Sequence, residues 1–182
     1  MDSLKKVAVI LNLIIITSCA ESLDFDQVND FVLKPVFTAA LTYFTVQPFQ
    51  FFDETGVQEN SIEETSEIDL FQDSTIVDNV VKMVFNAEFK NEFDRDVSIQ
   101  VDFLNDQDLP VFSFTPIYVE SEDLSPEPYE DEILLADNPD IYNAVKIRIR
   151  ASLENTGTQM NPFDNIEFEF KSSITFFVET NL

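Results

Sequence analysis

The chain has no histidine and no tryptophan, and only one cysteine and two glycines in 182 residues. Without histidine and with a single cysteine, neither a Cys/His zinc site nor a Ser-His-Asp or Cys-His catalytic set can be assembled. One cysteine allows no internal disulfide. Gly56 and Gly157 lie far apart, which excludes a glycine-rich phosphate cradle. Cations are scarce as well: 10 Lys and Arg stand against 35 Asp and Glu, for a formal net charge of −25 at pH 7. A surface that acidic repels nucleic acid backbones. Long apolar runs are missing after the first sixteen residues, and no long amphipathic helix can be drawn anywhere.

What is present is phenylalanine, 19 of them, in a chain that is 45% apolar. That length fits one ordinary domain and buries enough surface for one core. Strand signals dominate, as strict alternation of apolar and polar residues. The clearest stretches are 81–89, 97–103, 145–153 and 166–178, each with one face for a core and one for water. Weaker candidates are 36–46, 61–70, 111–119 and 130–135. Residues 36–46 are apolar on both faces, and Pro116 confines 111–119 to an edge or a bulge because it cannot donate to a ladder. Two short helical turns are expected. Asp73 or Ser74 can cap 75–79, and Asn138 followed by Pro139 makes a cap and first-position pair for 139–143. The pattern predicts an all-β fold: a single antiparallel β-sandwich of about seven or eight strands, immunoglobulin-like, preceded by a signal peptide.

The amino terminus reads as an address. Lys5 and Lys6 precede an apolar run from Val7 to Ile16, broken by Asn12. This is too short for a helix that crosses a bilayer, which needs about 20 residues, and suits a secretory signal. The run ends in Ile16-Thr17-Ser18-Cys19, which resembles the bacterial lipobox, with Ile16 in the aliphatic place and Thr17 and Ser18 in the small ones. The resemblance implies removal of residues 1–18, lipidation of Cys19, an acidic tether over 19–30 and a sandwich over 31–182. The following Ala20-Glu21-Ser22-Leu23-Asp24-Phe25-Asp26-Gln27 is similar to the start of Bacteroidetes (flavobacterial) lipoproteins. That likeness implies an outer-membrane lipoprotein held through its acyl chains, facing either the cell surface or the periplasm. The stretch Val80 to Val119, where a strand ends near Asn91 and a polar turn follows, resembles late-embryogenesis type-2 immunoglobulin-like sandwiches. This implies a fold and no function.

Few residues point to chemistry. Lys146, Arg148 and Arg150 share one polar face and Glu167 and Glu169 another. If those strands pair, opposite charges meet across the ladder; the other reading is a small basic patch for an anion. Asn105, Asp106 and Asp108, with Gln107 between them, crowd oxygens into a turn after Phe103, and Glu127, Glu130, Asp131 and Glu132 do so again. Calcium takes such oxygens, although neither stretch has the glycine or the spacing of an EF-hand loop. The expectation is no cofactor, with Ca²⁺ the one candidate. Acid pairs are too many for any one to single out a glycosidase-type site. The leading expectation is therefore a non-catalytic binding or scaffold module, not an enzyme, at the cell envelope. Its partners would be the membrane and another envelope protein or a glycan, met through sheet edges or loops. A calcium-dependent adhesion module and a carboxylate-based hydrolase are the alternatives. Tyr43, Tyr118, Tyr129 and Tyr142 are the tyrosines a glycan platform would need.

Overall fold

The computed structural model describes residues 32–181. The signal segment, Ile16, Thr17, Ser18, Cys19 and the tether lie outside the described residues. Within the unit Leu33–Thr180, β1 spans Val36–Val46, β2 Ser61–Glu67, β3 Val80–Asn91, β4 Val97–Leu104, β5 Pro110–Ser113, β6 Ile117–Val119, β7 Tyr129–Leu134, β8 Lys146–Leu153 and β9 Phe168–Val178. One helix, α1 (Ser74–Asn79), leads into β3, and 3-10 turns occupy Pro48–Phe51 and Pro139–Asn143.

Alternation decides the faces. In β9, Phe168, Phe170, Ile174, Phe176 and Val178 are buried, and in β8 Ile147, Ile149, Ala151 and Leu153 are. A period of two then leaves Glu169, Lys171, Arg148 and Arg150 on the outer faces. The strands form two antiparallel sheets, ordered β1–β9–β3–β7 and β2–β8–β4–β5, with β6 also on β4. β5 lies along Asp102–Leu104 and β6 along Val97–Ile99, so together they make one interrupted edge. Pro116 sits in the gap, where a strand can tolerate the missing donor.

The sandwich agrees with the sequence, and its connectivity adds a finding. β1, β2, β3 and β4 pair in turn with β9, β8, β7 and the β5/β6 edge. The segment from Val36 to Val178 is thus one long antiparallel hairpin wrapped over itself, the strand order of a jelly roll. An immunoglobulin sandwich orders its strands differently. Phenylalanines help join the two sheets into one core: Phe85 of β3 meets Phe114, which follows β5, at 4.4 Å between ring centres, and Phe93, in the β3–β4 connection, packs on Phe168 of β9 at 6.3 Å.

The turns follow the sequence in part. The carbonyl of Asp73 accepts from the N–H groups of Ile76 and Val77 at 3.0 and 3.1 Å, which places Asp73 at the cap of α1. Pro139 opens its 3-10 turn, but the Asn138 side chain makes no cap bond. Instead Asn138 Nδ2 donates to the Leu134 carbonyl at 3.0 Å. The backbone at Asn138, φ −130° and ψ 57°, is not the extended shape that aims an N-cap oxygen at the turn.

Candidate functional site

The sandwich has an open side where β1 and β2, the outer strands of the two sheets, lie near each other. β1 reads VFTAALTYFTV, eleven residues with no charge, no proline and no glycine. Among the described residues its one ladder partner is β9. The register runs Ser172 to Thr42 and then Ser173 to Ala40, so Leu41 is the extra residue of a bulge. It divides the edge into two arms, Val36–Ala40 and Thr42–Val46. In the first arm, the Phe37 ring stacks on Phe176 at 4.9 Å, and Phe37 is still 41% exposed.

The second arm overhangs a groove between the sheets. Its volume is about 300 Å³, and its walls are Phe44, Thr45 and Val46 of β1, Ile62, Glu63 and Glu64 of β2, and Ile149 and Ala151 of β8, with Gln50 from the neighbouring 3-10 turn. That turn is pinned by the buried Phe51, whose ring meets Phe93 edge-on at 6.2 Å. The floor is apolar and the rim carries carboxylates. On β2, Ile62 lies opposite Ala151 and Glu64 opposite Ile149, whereas Glu63 lies opposite Arg150. Since Ala151 and Ile149 are core residues, Glu64 shares the inner face. Glu63 is on the outer face, where Arg150 donates to it from Nη2 at 2.8 Å and Nε at 3.1 Å. Nothing in the sequence marked Glu64, because the 61–70 stretch has no clean alternation and its inner face was not legible.

The expected charge pairing between Lys146, Arg148, Arg150 and Glu167, Glu169 is not what forms, because β8 and β9 belong to different sheets. Each set finds other partners. Lys146 Nζ reaches Asp108 at 2.6 Å, and Arg148 reaches Asp102 at 2.7 Å. Asp102 is buried and also accepts from Ser113 Oγ and Gln100 Nε2 at 2.7 and 3.1 Å. Glu167 and Glu169 surround Lys90 at 3.7 and 3.3 Å, with Glu92 closer at 2.7 Å. Hydrogen bonds and charge from Glu92 and then Glu169 push the Lys90 ammonium above its ordinary range, and Lys90 in turn holds the Glu92 carboxyl below the usual carboxylate value. These cations are consumed by neighbours, so they do not form a basic patch.

The oxygen-rich turn is built from the predicted residues. Asn105 Oδ1 accepts from the N–H groups of Gln107 and Leu109, both at 3.0 Å. Asp108, with φ 60°, faces Lys146, whose ammonium it holds above its ordinary value. Asp106 lines an open depression of about 670 Å³ with Asp140 and Tyr142. Among the described residues no group of three or more acid, histidine or cysteine side chains is placed to hold a metal ion. In the second acid-rich stretch, Glu132 pairs with Lys82 at 2.9 Å and Asp131 accepts from the Tyr129 hydroxyl at 3.2 Å. The tyrosines do not make a platform: Tyr43 stands on β1, Tyr118 on β6 in the other sheet, and Tyr142 packs edge-on against Phe71.

No helix among the described residues is long and apolar enough to cross a membrane. No known family pattern matches the chain, and no curated protein does. Among solved structures, a protein of Parabacteroides distasonis described as secreted aligns with a TM-score of 0.45 and 18% identity, over 64% of this chain and 38% of that one. The infectious bursal disease virus particle aligns with a TM-score of 0.43 and 12% identity, over 80% of this chain and 31% of that one. Desmodium yellow mottle tymovirus gives 0.36 and 10%, over 82% and 89%. The chain thus spans well under half of the first two, and similarity at this level carries no information about activity, partner or location.

Proposed function

We propose that the chain is an outer-membrane lipoprotein, anchored through acyl chains on Cys19, whose sandwich is a non-catalytic binding module. It captures an extended segment of another envelope protein by strand addition. One observation supports this reading above the others: β1 is a long, neutral, proline-free edge with apolar side chains open to solvent. Such an edge presents unpaired backbone donors and acceptors, which proteins ordinarily blunt with charge, proline or a cover. In strand addition the main chain supplies affinity and alternate side chains supply selectivity.

The test has two parts. Photo-crosslinkers are placed in cells at Thr45 on β1 and, as the control, at exposed Tyr118 on the far edge of the second sheet. A discrete product from position 45 alone, lost when Ala40→Lys charges the edge, is expected. Equal products from both positions overturn strand capture. Separately, Cys19→Ser should release the protein from the membrane fraction, and unchanged membrane association overturns lipid anchoring.

A further inference from the structure

Glu64 breaks the pattern of its strand. It stands on the inner face of an edge strand, opposite Ile149, where an apolar residue would complete the core. Its neighbour Glu63 has Arg150 for a partner, but among the described residues Glu64 has neither an ion pair nor a side-chain hydrogen bond. It lies at the mouth of the 300 Å³ groove, beside Phe44, Val46 and Ile62. A site of that size sits at the lower limit for ligand pockets and suits one long side chain. What fits an apolar slot ending in a free carboxylate is a long apolar stem ending in a cation, as in Lys and Arg.

We infer that the groove receives a Lys or Arg side chain from an extended segment added along Thr42–Val46, with its stem against Phe44 and Ile62 and its cation on Glu64. The inference rests on the strand-capture reading and names the chemistry of the partner. Every second side chain of an added strand faces the inner side, so the cation comes from a single position in the register. The charge of the whole chain agrees, since a −25 molecule attracts a cationic segment and repels a second copy of itself. An inward carboxylate on an edge also guards against unwanted pairing. The guard role alone predicts no preference for a cation, and this separates the two.

The experiment uses the purified protein and three fluorescent heptapeptides at about 0.15 M salt, where exposed long-range charge is largely screened. The first is Thr-Val-Thr-Lys-Thr-Val-Thr, capped at both ends. The second has norleucine for Lys, and the third keeps Lys but carries N-methyl groups on alternate amides. The Lys peptide should bind about tenfold more tightly than the norleucine peptide, in line with one charge-assisted contact. Glu64→Gln should abolish that difference, while Glu63→Gln should leave it intact. The N-methylated peptide should not bind. Equal binding of the Lys and norleucine peptides, or an unchanged preference in Glu64→Gln, overturns the assignment of Glu64 but leaves strand capture standing. Undiminished binding of the N-methylated peptide overturns strand capture itself. Failure of all three to bind at millimolar concentration overturns both, as does a stable dimer that occupies β1.

Discussion

Two buried polar residues near the end of β3 show how differently the same fold treats polarity. Asn91 is fully buried, and its Nδ2 donates to the carbonyls of Arg95, Val119 and Glu120 at 3.0, 3.4 and 2.8 Å while Oδ1 accepts from the Phe93 N–H at 3.0 Å. One amide therefore ties the β3–β4 crossing to the end of β6. Asn91→Ala leaves those backbone groups short of partners and should cost about 2–4 kcal/mol by urea denaturation. Asn91→Asp keeps the shape but turns a carboxylate oxygen toward the carbonyls, so it should cost at least as much. A loss below 1 kcal/mol, roughly one neutral hydrogen bond, would count against this account. Arg95 is also buried, yet Nη2 has no partner among the described residues, and its carboxylate neighbour Asp94 stays in solvent. Replacing it strands no buried charge. Arg95→Met should match the parent within about 1 kcal/mol or exceed it. The sequence shows Asn91 only as a strand end; its role depends on carbonyls almost thirty residues away, which no local pattern encodes.

At the scale of elements, what the sequence discloses is whatever depends on neighbours along the chain. β8 and β9 were readable because Ile147, Ile149 and Ala151, or Phe168 and Phe170, alternate with charge. β1 was readable as a strand whose two faces are both apolar, and this is the composition of an edge that also covers a groove. Pro116 correctly marked an interruption at an edge. Pairing was not readable, since a strand's alternation says which face is buried and not which strand lies beside it. That is why Arg148 meets Asp102 and not a glutamate of β9. The Leu41 bulge is the same kind of feature, visible only once β9 is laid alongside. It twists the edge and splits it into two arms. Deleting Leu41 preserves the register on both sides, Thr42 against Ser172 and Ala40 against Ser173, and joins the arms into one continuous edge. The deletion variant should fold and self-associate more strongly than the parent in sedimentation velocity. Unchanged association would mean that the bulge does not protect the edge.

At the scale of the whole molecule, charge sets how stability answers to salt and acid. A net −25 makes the compact state repel itself. Raising NaCl from a few millimolar to about 0.5 M shortens the screening length to well under 10 Å, so the melting temperature at pH 7 should rise. Acid acts in two stages of opposite sign. Falling pH first neutralises carboxylates and relieves the repulsion, which stabilises the fold. Glu92 and Asp53 work the other way, because their folded pKa values lie below the unfolded ones. Lys90 holds Glu92 down; the Val57 N–H and the Thr55 hydroxyl hold Asp53 down. Their contribution is present above the unfolded carboxylate value and is lost as pH drops through the folded one. At low salt the melting temperature should therefore climb from pH 7 toward the carboxylate range, near 4–5, and then fall. At high salt the climb should flatten while the acid fall persists, since close pairs are screened less than distant charges. Lys90→Met returns Glu92 toward its ordinary value, so the variant should be less stable at neutral pH and lose less in acid. A melting temperature at pH 7 that stays flat or drops between low salt and about 0.5 M would mean that the ion pairs of Lys90, Lys146 and Arg148 already balance the repulsion locally. In that case Lys90→Met should restore the salt dependence that the parent lacks.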